Sequence, residues 1–157
     1  MGARHKSTIH VRPFQAKHRV PWHLVCSSIS TLDMPHVNIA ELLDEYARGK
    51  RDFGGMELKE ANLFEAALRR INLQGSQLQR AYFPYAKLSY ANLSQANLHQ
   101  AQLGDALLHH ADLSYASLVA ANLCRASLRY ANLQGVDLRG ANLQRANLYK
   151  ADLTNAN

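Results

Sequence analysis

The chain has 157 residues, 47% of them hydrophobic, and its 18 Lys and Arg against 12 Asp and Glu give a formal net charge of +6. This length suits a single domain, the hydrophobic fraction is too high for a wholly disordered chain, and no apolar run approaches the ~20 residues of a membrane-spanning helix. Two cysteines, Cys26 and Cys124, cannot form a disulfide framework, so we expect a reducing, cytoplasmic location and no membrane partner.

Residues 1–37 differ in composition from the rest of the chain. The first 23 hold five Lys and Arg, four His and no carboxylate, and they show neither a helical nor an alternating apolar pattern. We expect a disordered basic tail without a folded role. The alternatives are upstream sequence translated ahead of a true start at Met34, and a basic transit peptide, although no amphipathic stripe supports the latter.

Residues 38–50 predict a short capping element, with one α-helix over 38–49. Asn38 and Glu41 have the spacing of a capping box, and Gly49 suits the position after the last helical turn. The apolar residues that we expect on the packed face are Ile39, Leu42, Leu43 and Tyr46. Such a helix is well placed to cover the N-terminal end of the structure that follows.

Residues 51–157 carry an internal repeat of five residues. From Phe53 to Leu153 every fifth residue is Leu or Phe, 21 consecutive positions, and most are preceded by Ala two residues earlier. On an α-helix five residues advance about 500°, so the leucines would spiral around it and leave no apolar face. Ala and Leu two residues apart do fit two inward positions of a short strand, after which the chain must bend.

The repeated segments resemble the motif Ala-(Asp/Asn)-Leu-X-X of the pentapeptide-repeat family. Residues 91–95 read AlaAsnLeuSerGln, and 96–100 and 141–145 follow the same pattern. The resemblance implies an all-β solenoid, a right-handed quadrilateral β-helix of about five coils, with four pentads and 20 residues per coil. The period by itself establishes only the five-residue unit.

With four sides, residues 20 apart share a side, and the charges divide unevenly. We call the Leu or Phe of each pentad its central residue, and we number the four sides by their first central residues, which are Phe53, Leu58, Leu63 and Leu68. The first to fourth sides carry formal charges of −2, 0, 0 and +5. The fourth side also carries aromatic residues. One of its outward columns should place neighbours ~4.8 Å apart, in the order Arg70, Tyr90, His110, Tyr130 and Lys150. We call this set the basic–aromatic side: Arg69, Arg70, Lys87, Tyr90, His109, His110, Arg129, Tyr130, Tyr149 and Lys150.

Cations among aromatic side chains favour an anionic partner, which could be an acidic protein, a phosphate group or a nucleic-acid strand. The alternative is that aromatic stacking between coils only stabilises the solenoid, and that the cations cluster on one side by chance. The sequence leaves both interpretations open.

Two other outward columns carry charge. Asp112 and Asp152 share a column with asparagines, which predicts an amide–carboxylate ladder between coils. Arg125 and Arg145 form a like-charged stack, which is either mildly destabilising or relieved by a partner.

No catalytic residue, metal site or cofactor is predicted. His109 and His110 are adjacent but His99 lies on another side, so three ligands do not converge. Cys124 should be an isolated outward thiol without a neighbouring base. A filled solenoid also offers no pocket in which paired carboxylates could act.

The function that we expect is a non-enzymatic protein-interaction scaffold with an unassigned partner. The resemblance raises an alternative, because some members of the family protect or inhibit DNA gyrase by resembling the shape and negative charge of duplex DNA. The pentads here are net positive and lack loop insertions, which counts against that role. A third hypothesis is direct nucleic-acid binding through the basic–aromatic side. We also expect a homodimer paired through the uncapped C-terminal end, unless the reading frame is truncated there.

Overall fold

The computed structural model describes residues 38–157, so the interpretations of residues 1–37 lie outside the described residues. Helix α1 spans Ile39–Ala47 and begins at the N-cap Asn38, whose Oδ1 accepts a hydrogen bond from the backbone N–H of Ala40 at 3.0 Å. The cap therefore bonds to the second residue of the helix, one position earlier than in the expected capping box.

The end of α1 explains why it is shorter than the predicted 38–49. Gly49 has a φ of +101°, which reverses the chain after the C-cap Arg48. The backbone N–H of Lys50 donates to Glu45 O, and that of Gly49 donates to Tyr46 O. These two bonds form a Schellman motif, which satisfies carbonyl groups of the last turn and stops the helix.

Helix α1 packs through a narrower face than the sequence suggested. Leu42 is buried in the same cluster as the leucines of the repeat, and Ile39 and Tyr46 are partly buried against it. The Tyr46 hydroxyl donates to the backbone oxygen of Arg69 at 2.8 Å. Leu43 was expected on this face, but it is exposed because it lies one residue, about 100° of rotation, beyond Leu42.

Four pentads make one coil of the repeat region. The residue before each Leu or Phe centre forms a parallel β-bridge to the residue 20 positions later, from Asp52↔Asn72 through Asn132↔Asp152. Within residues 38–157 the pairing consists of such isolated bridges, with no longer strand. A five-residue unit with a 20-residue step gives the four-sided coil that the resemblance implied.

Every pentad ends in a left-handed residue, which turns the corner. The fifth residue has a positive φ in each pentad, occupied by 17 non-glycine residues and by Gly at only four positions of the repeat. After it, the next backbone N–H usually returns to the preceding centre, as from Ala66 N to Leu63 O at 3.2 Å. A positive φ at the third residue of such a turn is the mark of a type II turn, so each corner is one turn.

The core is a column of leucines that opens towards the C-terminal end of the described residues. All central residues from Phe53 to Leu133 are buried, together with most of the alanines two positions before them. Leu138, Leu143 and Leu148 are partly buried, and Leu153 is 41% exposed. These last four central residues are more exposed than the others because no described coil packs over them.

The asparagine column predicted from the sequence does link coils. Asn132 Nδ2 donates to Asp112 Oδ1 at 3.1 Å, and the same oxygen accepts the backbone N–H of Ser114. Asp152 instead accepts from the backbone and hydroxyl of Thr154, two bonds that hold the pKa of its carboxyl below the ordinary value.

Candidate functional site

Three rings of the basic–aromatic side form a parallel stack that runs along the solenoid. The ring centroids of Tyr90 and His110 are 4.8 Å apart and those of His110 and Tyr130 are 4.9 Å apart, with interplanar angles of 4° in both pairs. These distances match the ~4.8 Å expected for stacked coils. We call Tyr90, His110 and Tyr130 the aromatic stack.

Cations flank both ends of the aromatic stack. At one end the guanidinium carbons of Arg69 and Arg70 lie 5.0 and 5.8 Å from the centroid of Tyr90. At the other end Arg129 and Lys150 each lie 5.8 Å from the centroid of Tyr130. Each cation is close enough for a cation–π interaction, which at such exposed positions contributes about 0.5–1 kcal/mol.

Tyr149 widens the second end of the site. Its ring meets that of Tyr130 edge-on at 5.7 Å, and Arg129 and Lys150 lie 5.4 and 5.5 Å from its centroid. The ring remains 53% exposed. This end therefore presents two cations and a phenol hydroxyl to solvent on one surface.

His109 occupies the space between the cations at the two ends. Its Nδ1 lies 3.3 Å from the hydroxyl of Ser89, and its ring meets Tyr90 and His110 at angles of 78°. Burial lowers the pKa of His109, and the charges of His110, Arg69 and Arg129 lower it further. The imidazole is therefore held in its neutral form in the unliganded protein near neutral pH.

Lys87 lies apart from the other nine residues of the basic–aromatic side. Lys87 stands one position before the central leucine of its pentad, and its side chain points towards the neighbouring corner. There it lines a shallow hollow of about 360 Å³, together with Glu65, Tyr85, Asp105 and Leu107. The remaining nine residues come together around the aromatic stack. The five pentads of this side contain no carboxylate, so the surface can bind anions through side-chain donors and charge.

A second aromatic cluster lies on the third side and was missed from the sequence. The rings of Phe64 and Tyr82 are 6.2 Å apart, and those of Phe64 and Tyr85 meet at 81° and 5.9 Å. All three rings are more than 40% exposed. They occupy three different columns, so comparing residues 20 apart could not reveal that they touch.

The like-charged stack of Arg125 and Arg145 is relieved within the chain. Arg125 makes two hydrogen bonds to the Asp105 carboxylate one coil earlier, at 2.8 and 2.6 Å. Arg125 thereby holds the pKa of Asp105 below its usual value. No external partner is needed to offset the charge of Arg125.

The described residues offer little for metal or thiol chemistry. Within residues 38–157, no group of three or more His, Cys, Asp and Glu side chains is arranged to hold a metal ion. Cys124 is a free, partly buried thiol in this part of the chain. No helix of the described segment is long and apolar enough to cross a membrane.

Parallel bridges 20 residues apart, a leucine core and type II corners define the class of four-sided β-helical solenoids. The family model for pentapeptide repeats matches eight copies over residues 61–157, and the chain belongs to this family. Pentapeptide-repeat proteins form right-handed quadrilateral β-helices, and in general they serve as structural or binding scaffolds. The predicted family is thus confirmed.

Several solved structures are similar to this chain. Trypsin-treated QnrB1, a plasmid-mediated fluoroquinolone resistance protein, has a TM-score of 0.51 at 18% identity, over 67% of this chain and 54% of that one. The chain thus spans about half of the QnrB1 chain, and the likeness concerns the fold alone. The pentapeptide-repeat protein alr5209 from Nostoc PCC 7120 is 39% identical over 69% of this chain and 74% of that one, with a TM-score of 0.38. No curated protein matches the chain.

Proposed function

We propose that the protein is a non-enzymatic interaction scaffold and that its basic–aromatic side binds an anionic partner. The observation that carries this proposal is the aromatic stack with cations at both ends, on a side whose pentads have a formal charge of +5 and no carboxylate. A regular solenoid holds the backbone positions of these side chains at constant spacing, so binding does not require the backbone to become ordered. We further propose that it acts in the cytoplasm.

The experiment compares two triple variants of the full chain that have the same net charge. The first, Arg70→Ser with Arg129→Ser and Lys150→Ser, removes cations from the basic–aromatic side. The control, Lys59→Ser with Arg80→Ser and Arg139→Ser, removes cations that are paired with carboxylates on the second side. The basic N-terminal segment is the same in both variants.

Retention on an immobilised polyanion is measured as a function of salt. We expect the first variant to elute at clearly lower salt than the wild type, because fixed phosphate or carboxylate contacts contribute to the salt dependence of binding. The control should elute close to the wild type. Equal shifts in the two variants would mean that only net charge matters, and the proposed site would be rejected.

Nucleic-acid binding by base stacking fits this site less well than binding of acidic side chains. Proteins that hold single strands offer open aromatic faces. Here His110 is covered by tyrosines on both faces, and each tyrosine of the aromatic stack has His110 on one side and a cation near the other. Gyrase regulation by DNA mimicry meets a second difficulty, since the pentads are net positive. A supercoiling assay would test it directly.

We also propose that the solenoid has about five coils and that α1 caps its N-terminal end. The buried Leu42 and the bond from Tyr46 to the backbone of Arg69 support this role. Leu42→Ala should lower the free energy of unfolding by roughly 2–4 kcal/mol, whereas Leu43→Ala should have little effect. The end-to-end homodimer stays a prediction, which light scattering of the purified protein would check.

A further inference from the structure

The basic–aromatic side has cations at two ends, and between them lie His109 and the aromatic stack. Arg69 and Arg70 form one end, and Arg129 and Lys150 form the other, three coils (~14 Å) and four coils (~19 Å) further along the solenoid. An extended polypeptide covers these distances in about four to six residues. A segment with carboxylates at both ends of such a stretch would fit these charges and cross the histidines.

The spacing of the rings favours a polypeptide over a nucleic-acid strand. Inserting a base between two rings requires about 6.8 Å, twice the stacking distance of bases, whereas the rings of the aromatic stack are 4.8 and 4.9 Å apart. Carboxylates need no ring face. They need donors and charge, which guanidinium, imidazole and ammonium groups supply.

The surroundings of His109 oppose its protonation until an anion arrives. His109 is flanked by Arg69 and Arg129 and by His110, and within residues 38–157 its close polar partner is the Ser89 hydroxyl. The nearest carboxylate along the chain, Asp112 on the adjoining side, is already bonded to Ser114 and Asn132.

A bound carboxylate would reverse this balance. It would offset the charges of Arg69 and Arg129, so protonated His109 would no longer be disfavoured by them.

We propose that the basic–aromatic side binds an acidic polypeptide segment and that His109 takes up a proton from solvent as it binds. The partner is recognised by its carboxylates, and its affinity for the protein rises in mildly acidic solution. This inference rests on the proposed function, since it specifies the partner and the pH response of the same surface.

The test uses the full chain and two labelled probes, an oligoglutamate of about ten residues and an oligothymidylate of equal formal charge. Binding is measured by fluorescence anisotropy at about pH 7.5 and 6.0, where glutamate carboxylates remain largely ionised. We expect the peptide affinity to rise about three- to tenfold at the lower pH, the effect of one added charge near a carboxylate in a well-solvated site.

The matched variant is His109→Asn, which leaves the aromatic stack intact. Asparagine keeps a polar side chain for Ser89. The readout is the ratio of the variant's affinities at the two pH values, which should lose the extra gain on acidification that His109 supplies. Histidines of the N-terminal segment are common to both proteins, so their contribution cancels. Thermal unfolding of the variant checks that it folds.

Each outcome separates the two proposals. If neither probe binds at either pH, the proposed function fails together with this inference. If the peptide binds and the histidine variant shows the same pH dependence as the wild type, the proton uptake is refuted while the proposed function stands. Tighter binding of oligothymidylate than of oligoglutamate would overturn the choice of an acidic polypeptide.

Discussion

Leu113 lies in the middle of the leucine column, where its side chain has no exposure to solvent. The residues 20 positions before and after it, Leu93 and Leu133, are equally buried. Leu113→Ala therefore removes three carbons from a site that is closed on every side. Leu153→Ala is the matched control, since it makes the same chemical change at a position that is 41% exposed.

The two substitutions should differ by several-fold in their effect on stability. At ~0.8 kcal/mol per buried methylene, the three carbons lost from Leu113 remove about 2.4 kcal/mol of transfer free energy. The cavity between rigid neighbouring coils adds to this, so we expect a total loss of about 3–5 kcal/mol. Leu153 loses less transfer energy and leaves no enclosed cavity, so about 1 kcal/mol is expected there.

Urea-induced unfolding followed by circular dichroism measures both effects. The fitted slopes should be similar in the two variants, so that the shift in midpoint reports stability alone. Equal losses for Leu113→Ala and Leu153→Ala would refute the inward placement of the repeat leucines. A loss below about 1 kcal/mol at Leu113 would contradict the closed packing around it.

Two further predictions concern a corner and a surface pair. A Cβ at Gly135 would lie 2.6 Å from ring carbons of Tyr115, whereas one at Gly75 meets no atom of the described residues within 4 Å, and both glycines have a φ near +65°. Tyr115 is 61% exposed and its ring can move aside, so Gly135→Ala should destabilise the protein by only about 0.5–1.5 kcal/mol more than Gly75→Ala. Tyr115→Ala should remove most of this difference in a double-mutant cycle. Arg125 holds the pKa of the Asp105 carboxyl in the folded protein below its value in the unfolded chain. The stability that this pair contributes is therefore complete above the unfolded pKa and is lost as the pH falls through the lower folded pKa. Arg125→Gln should raise the NMR titration midpoint of the Asp105 carboxyl, and an unchanged midpoint would show that another group sets its pKa.

The five-residue period determined most of the fold. Since coils stack in register, residues 20 apart become neighbours, and a simple count along the sequence placed Tyr90, His110 and Tyr130 in one column and put the positive charge on one side. The same count identified the asparagine ladder at Asp112. These features depend only on position along the repeat, which the sequence states directly.

Contacts across corners and at the ends of the solenoid were decided only by the tertiary structure. The cluster of Phe64, Tyr82 and Tyr85 joins different columns, and Lys87 faces a corner away from the aromatic stack. Leu153 follows the repeat like every other central residue, yet it is exposed because no described coil covers it. Burial and ring contact depend on distances in space and on side-chain torsions, and a one-dimensional period specifies neither.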